Sequence, residues 1–294
     1  MTPTSLPATV NIDSFPALPA TVAKVLQVTA DPESSADDLM KVVLPDQSMC
    51  SAILKIANSA FFGIPREVST IERAVMVLGF EEVRNVIIGK ALFAAFPKLN
   101  ASFKDTVNLF WEHSFSCGLV AKIIAKELGF PQSELFVAGL IHDIGKLAML
   151  MTFPNDYPLL RELTEPRYTG IIASENSDFG TSHDTVGKQL ANRWLLPQKL
   201  VIAIAHHHNP QNAPAEKHFP LIIQVADILS YMHCSPDMFG PKDVKRIFED
   251  FLTEPLSLWA ENKLPLDLDN LVNWFELLAV SREENQPILD IFTS

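Results

Sequence analysis

The stretch LIHDIGKLAML, residues 140–150, decides how this sequence is interpreted. It is an apolar segment with a histidine and an aspartate, His142 and Asp143, side by side at its centre. A carboxylate is rarely buried without a partner, because its charge loses the solvation that water provides. The segment therefore predicts that a cationic partner or a metal ion accompanies His142 and Asp143 inside the protein.

Composition limits the class of protein to which the chain can belong. The chain has 294 residues, 48% of them hydrophobic, and a formal net charge of −12. This length allows one large domain or two to three small ones. The acidic balance disfavours nucleic-acid binding, which requires clustered Lys and Arg. It also repels a free nucleotide, unless a local cation reverses the field.

Three features predict a cytoplasmic protein with no membrane partner. No apolar run approaches the roughly 20 residues of a membrane-spanning helix. The N-terminus, MTPTSLPATV, lacks the basic and apolar regions of a signal peptide. Cys50, Cys117 and Cys234 are far apart in the sequence, which is typical of buried thiols in a reducing compartment.

Apolar residues recur at steps of three and four nearly throughout the chain, which predicts an all-α fold. The first region, about residues 13–100, reads as a series of short helices. Its predicted helix starts and breaks are Ser34 or Ser35, Asp46, Ser69 or Thr70, and Gly79. No ionisable cluster there indicates chemistry. Packing and the binding of a signalling-protein partner are the predicted uses of these helices.

The second region, about residues 105–235, places metal-competent side chains on apolar helix faces. They are His113, His142, Asp143, His183, the run His206–His207–His208, and Asp227. Each one alone is more simply a hydrogen-bonded core residue, a helix end or a cap. Together they are too many to satisfy one another. Imidazole and carboxylate ligands suit a divalent transition metal, magnesium or manganese, and helical bundles build such sites across their cores.

The order of these residues resembles the HD superfamily of metal-dependent phosphohydrolases, and HDIGK (residues 142–146) is similar to its signature. The segments FPALPATVAKVLQVTADPESSADDLMKVVLPDQSMCSAILKIANSAFFG and STIERAVMVLGFEEVRNVII resemble the HDOD domain, a bacterial signalling relative. The resemblance covers about residues 13–230. It implies an N-terminal multi-helix HDOD subdomain (13–100) packed on an HD-type helical core (105–235). A C-terminal helical extension (236–294) then packs on the core or makes a dimer or partner contact.

The resemblance also implies roles for individual residues. The ligands of a first metal would be His113, His142, Asp143 and Asp227. Asp143 would bridge to a second metal bound by His183, His207 and His208. Lys146 matches the lysine that faces the substrate phosphate, so Asp143 and Lys146 are the implied catalytic residues. The cofactor would be one or two divalent ions, with iron, manganese, zinc, nickel and magnesium all open.

Two departures from related enzymes argue against cyclic-di-GMP as the substrate. Cyclic-di-GMP phosphodiesterases carry a Gly-Tyr-Pro motif soon after their paired histidines, but this chain reads HHHNPQNAPAEKHFPL there. Those enzymes can also have a glutamate four residues before the first histidine, where this chain has Leu109. Glu175 is a nearby acid with no assigned role as a ligand.

Three functions remain open from the sequence. The first is metal-assisted hydrolysis of a nucleotide or another phosphoester, with Lys146 stabilising charge on the phosphate. The second is a non-enzymatic signalling scaffold whose metal is absent or structural, since metal binding can supply folding free energy. The third is a di-iron oxygenase, supported only by histidine-rich ligation.

Overall fold

A computed structural model describes residues 10–15, 17–31, 33–59, 62–96, 99, 103–157, 170–250 and 253–293. These ranges contain helices and no strand, which confirms the predicted all-α class. The N-terminal region begins with a 3-10 turn, Ile12–Ser14. Its α-helices are α1 (Ala20–Ala30), α2 (Ala36–Val43), α3 (Gln47–Ala57), α4 (Ile71–Leu78) and α5 (Phe80–Ala94).

Local capping explains where the N-terminal helices begin. Ser35 starts α2 with a capping box, in which its side chain and that of Asp38 bond each other's backbone N–H groups. The side chain of Asp46 accepts from Met49 N at the start of α3. Thr70 does the same for α4. Gly79, at φ +85°, separates α4 from α5. The predicted caps and break are therefore confirmed.

The rest of the chain forms a second group of helices. They are α6 (Lys104–Leu128), α7 (Gln132–Ile141), α8 (Ile144–Thr152), α9 (Ile171–Phe179), α10 (His183–Arg193), α11 (Gln198–His206), α12 (His218–Cys234), α13 (Pro241–Asp250), α14 (Thr253–Glu261) and α15 (Leu268–Thr293). Helix α6 packs on α7, α12 and α15, and α8 packs on α10. The Trp274 indole N–H donates to the Glu127 carboxylate at 2.7 Å, which fastens α15 to α6. The C-terminal helices thus pack on the core.

Close helix contacts at two glycine pairs bring the ligand-bearing helices together. A Cβ on Gly139 in α7 would lie 2.7 Å from the backbone N of Gly118 in α6. A Cβ on Gly145 in α8 would lie 1.9 Å from the carbonyl oxygen of His183, and 2.7 Å from Gly187 N in α10. All three distances are too short for any side chain, so glycine allows these backbones to touch.

One segment of the core is as apolar as a membrane helix. Residues 132–152 are long and apolar enough to cross a membrane by length and composition, and 89% of that window is buried inside the protein. The expectation that no apolar run approaches this length was wrong, although His142, Asp143 and Lys146 lie inside the segment. The mean hydropathy of the segment remains high despite these three polar residues. The segment divides at His142 and Asp143 into α7 and α8, at the centre of the fold.

Candidate metal centre

The break between α7 and α8 presents two ionisable side chains to the interior. His142 follows the last residue of α7, and Asp143 precedes the first residue of α8. Their exposed fractions are 0% and 1%. The first turn of α8 is closed by a hydrogen bond of 2.8 Å from Lys146 N to the Asp143 carbonyl. The helix break therefore points both side chains into the core rather than to solvent.

The first cluster, here the aspartate-rich half-site, consists of His113, His142, Asp143 and Asp227. Its candidate ligand atoms all lie within 4.8 Å of one another. Asp227 Oδ1 is 3.0 Å from His113 Nε2 and 3.4 Å from His142 Nε2. Asp143 Oδ2 is 3.2 Å from His142 Nε2. Helices α6, α7 and α12 thus meet at one point, as their apolar stripes predict.

The second cluster, the histidine-rich half-site, consists of Asp143, His183, His207 and His208. Asp143 Oδ1 is 3.3 Å from His183 Nε2 and 3.5 Å from His207 Nε2. His208 Nε2 is 3.0 Å from His183 Nε2. Asp143 therefore offers one oxygen to each half-site. The structure brings all seven predicted ligands together, while His206 lies half-buried outside both clusters.

Four of the imidazole rings have an outer contact at Nδ1, which directs Nε2 toward the clusters. These contacts are Gly139 O for His142 (2.7 Å), Ile204 O for His207 (2.9 Å), the Ser230 hydroxyl for His113 (3.3 Å) and the Glu175 carboxylate for His183 (2.8 Å). Outer partners of this kind fix the tautomer and orientation of metal-binding histidines. No sequence pattern indicated Ser230, and Glu175 had no predicted role. The contacts of Gly139 and Ile204 could have been predicted, because each carbonyl lies three residues before a histidine at a helix end.

Lys146 lies at the same centre. Its ammonium group is 2.8 Å from Asp143 Oδ2, and the residue is 8% exposed. Its position three residues after Asp143, in the first turn of α8, makes this contact a consequence of helical geometry. The predicted phosphate-contacting lysine is thus adjacent to the shared carboxylate.

The charged groups shift one another's pKa values. Burial raises the pKa of Asp143, but the positive charges of His142 and Lys146 outweigh it and hold that pKa well below its usual range. Burial lowers the pKa of His183, but Glu175 and Asp143 outweigh it and raise that pKa to about 10. Burial lowers the pKa values of His207 and His208. The centre therefore holds ionised carboxylates, with His183 favouring the charged form and with His207 and His208 favouring the neutral form.

Two buried polar atoms indicate that the residues fit a metal. His142 Nε2 and Asp143 Oδ1 have no hydrogen-bonding partner in the described part of the chain. Carboxylate oxygens lie within 3.5 Å of His142 Nε2, but not along the direction that a hydrogen bond needs. Leaving such an atom unsatisfied costs about 1–3 kcal/mol. A divalent cation coordinated by imidazole nitrogen and carboxylate oxygen would satisfy both atoms.

The fold and the buried His/Asp centre define a helical protein with a candidate metal site. Comparison of the sequence with known families then shows the family. Residues 15–210 match the HDOD domain. The match covers more than half of the chain, and the chain belongs to the HDOD domain family. The resemblance stated from the residues alone is therefore confirmed.

Individual relatives are more distant. An uncharacterised protein of Treponema pallidum is 27% identical over 220 residues, which are 74% of this chain and 42% of that protein. Ribonuclease Y of Thermus thermophilus is 33% identical over 119 residues, 40% of this chain and 16% of the enzyme. The chain thus spans less than half the length of these curated relatives. Among solved structures, a candidate phosphohydrolase from Shewanella amazonensis shares the fold, with a TM-score of 0.70 and 22% identity over 97% of this chain and 98% of that one.

Proposed function

We propose that the chain is a regulatory protein of the HDOD family that hydrolyses a small phosphoester at a site for two divalent metal ions. The observation that carries the proposal is the position of Asp143. Its two carboxylate oxygens serve different half-sites, and the Lys146 ammonium stands 2.8 Å from one of them. A carboxylate that two half-sites share would hold two ions close together, as two-metal phosphoester hydrolysis requires.

Each residue has a separate task in this proposal. Divalent ions, when bound, acidify a water molecule and polarise the phosphoryl oxygens. Asp143 holds the two half-sites in a fixed relation, because it is fully buried and cannot rotate away. The Nε2 atoms of His142 and His207 face inward, where a metal would bind them, because their Nδ1 atoms contact backbone carbonyls. Lys146 stabilises the negative charge that develops on the phosphate.

The exposure of the site residues indicates where a substrate enters. His142, His183 and His207 are 0% exposed, whereas Asp227 and Lys146 are 7% and 8% exposed. A substrate would therefore enter where Asp227, Lys146 and the half-buried His208 come nearest to solvent. Divalent ions held by these ligands would make the site locally cationic, which would offset the global charge of −12 for an anionic substrate.

The names of the relatives support phosphoester hydrolysis, but they do not identify a substrate for this chain. Ribonuclease Y and the Shewanella amazonensis protein carry names that describe phosphoester hydrolysis. The similarity to Ribonuclease Y covers 40% of this chain. The acidic composition predicts poor binding of RNA, so a small phosphoester or nucleotide is the proposed substrate.

A non-enzymatic scaffold with a structural metal is the second candidate. The observation in its favour is burial, because three of the four half-site histidines with outer contacts are closed to solvent. A metal there would fasten α7, α10 and α11 together and add to folding free energy. In that case the N-terminal helices, which contribute no ligand among the residues described, would carry the signalling function.

Turnover with a defined metal separates these two functions. The protein would be loaded with manganese or iron and assayed with bis-p-nitrophenyl phosphate, p-nitrophenyl phosphate, a nucleotide and an RNA oligonucleotide. We expect turnover of a small phosphoester that falls at least about 100-fold in Lys146→Ala with metal content unchanged. Lys242→Ala, on the exposed face of α13, is the control. A metal-loaded wild type inactive on every substrate would favour the scaffold.

A further inference from the structure

Glu175 joins three parts of the chain around one ligand. Its Oε2 accepts a hydrogen bond from the backbone N–H of His183 at 2.8 Å and lies 2.8 Å from His183 Nδ1. Its Oε1 accepts from the Tyr157 hydroxyl at 2.6 Å. The residue is 2% exposed. Both carboxylate oxygens are therefore engaged inside the protein, and most of that engagement concerns His183.

The first contact substitutes for a missing helix cap. Ser182 occupies the N-cap position of α10, but its side chain makes no capping hydrogen bond. Glu175, from the middle of α9, accepts from the first N–H of α10 instead. A negative charge at this end also complements the helix dipole. Glu175 thus fixes the backbone from which the His183 ring projects.

The second contact fixes the ring itself. With Nδ1 donating its hydrogen to Glu175, Nε2 would be the nitrogen of the deprotonated ring that a metal binds, and it faces Asp143 Oδ1 and His208 Nε2 at 3.3 Å and 3.0 Å. A carboxylate behind a histidine in this way raises the basicity of the ring and hence its strength as a ligand.

The two half-sites differ in the negative charge that surrounds them. The aspartate-rich half-site has two carboxylates, Asp143 and Asp227. The histidine-rich half-site has one, and it is the shared Asp143. Glu175 adds a second negative charge on that side, behind His183. Glu175, which is not a ligand, therefore supplies the second negative charge that the ligands of the histidine-rich half-site lack.

We propose that Glu175 is a positioning residue that sets the metal affinity of the histidine-rich half-site, through His183, and leaves the aspartate-rich half-site unaffected. This inference rests on the proposed two-metal site. If Glu175 has this role, loss of its charge lowers the metal affinity of the histidine-rich half-site and leaves that of the aspartate-rich half-site unchanged. A residue that merely supported the fold would weaken both.

The test is a metal titration of the metal-free full chain with Mn²⁺, followed by calorimetry for stoichiometry and for each affinity. The variant is Glu175→Gln, which keeps the side-chain shape and an oxygen acceptor but removes the charge. We expect one binding step, that of the histidine-rich half-site, to lose about 10–100-fold in affinity while the other step is unchanged. Asp178→Asn is the matched control, because it removes an exposed charge from the same helix. Thermal unfolding of the metal-free proteins checks that the variants remain folded.

The outcomes separate this inference from the proposed function. A wild type that binds two ions, beside a Glu175→Gln variant that binds both with wild-type affinity, overturns the role of Glu175 and leaves the proposed function intact. Equal weakening of both steps, or an equal effect of Asp178→Asn, also overturns it. A wild type that binds no Mn²⁺ defeats the proposed metal site first and this inference with it.

Discussion

The N-terminal helices and the helical core use burial in opposite ways. Before residue 100, Asn85 is the only buried polar residue in the described ranges. Among the described residues between 103 and 235, the buried acidic, basic and histidine residues are His113, His142, Asp143, Lys146, Glu175, His183, Asp184, His207 and Asp227. The interior of the first region is apolar apart from Asn85. The second region contains buried charges that are costly, as the proposed metal centre would require.

The two regions are joined by charged contacts on the helices that lead to the ligands. Glu134 in α7 lies 3.5 Å from the Arg84 guanidinium of α5 and accepts a hydrogen bond of 3.0 Å from Lys199 of α11. Arg193, at the end of α10, donates to the carbonyl of Phe15 at 2.8 Å. The N-terminal region therefore contacts two helices that position the metal centre, α7 and α10.

The largest expected effect on stability comes from the apolar region. Ile53 in α3 is fully buried, and Ile53→Ala should lower the free energy of unfolding by about 2–5 kcal/mol. Metal content per folded molecule should not change, because this region supplies no ligand in the residues described. Chemical denaturation and elemental analysis measure the two quantities. Ser51→Ala, exposed on the same helix, is the control, and metal loss in folded Ile53→Ala would break the comparison.

In the helical core, a single added methyl group should affect both stability and metal binding. In Gly145→Ala the new Cβ would meet the His183 carbonyl oxygen, whose position it would have to displace. We expect a loss of about 1–3 kcal/mol in stability, together with weaker metal binding at the histidine-rich half-site. A metal titration and thermal unfolding measure both. Gly240→Ala, whose Cβ would meet nothing closer than 3.9 Å, should change neither.

Metal affinity should depend on pH with a definite sign. Glu175 and Asp143 raise the pKa of His183 from 6.5 to about 10, so a metal must displace a proton there at neutral pH. Apparent affinity should fall roughly tenfold per pH unit, on acidification, for each proton displaced. Calorimetry in buffers with different ionisation enthalpies counts those protons. Affinity that is constant with pH would contradict coordination by His183.

The same shift has the opposite consequence for the metal-free fold. A raised pKa in the folded state stabilises the protein fully below 6.5, and that contribution disappears as the pH rises through about 10. As the pH rises from 6.5 through about 10, the metal-free protein should therefore lose stability. The metal-loaded protein should become more stable relative to the metal-free protein over the same range. Denaturation of both forms across the range measures the divergence.

The smallest expected effect returns to the N-terminal region. Thr70 caps α4 by accepting a hydrogen bond of 3.2 Å from Arg73 N. Thr70→Ala should cost about 1 kcal/mol of stability. Because the change is local and distant from any ligand, metal content should stay constant. A Thr70→Ser variant retains the hydroxyl and should behave like the wild type.

Sequence reasoning was sufficient for features set by local periodicity. Helical spacing placed His113 and His183 on inward stripes, and turn chemistry identified Ser35, Thr70 and Gly79. Interactions between distant segments were not visible. The approach of Gly145 to His183 and the contact of Glu175 with the same residue depend on how α8, α9 and α10 cross, and no local pattern encodes that crossing. The run of three histidines was equally ambiguous until the end of α11 was placed.

The metal content of the untagged protein, purified without added metal, tests the central claim most directly. Asp143→Ala and Asp227→Ala would be measured beside the wild type. The account predicts divalent metal in the wild type and almost none in Asp143→Ala, because this carboxylate serves both half-sites. Asp227→Ala should retain the ion of the histidine-rich half-site. A folded wild type that contains no metal and cannot be loaded with any divalent ion would contradict the account.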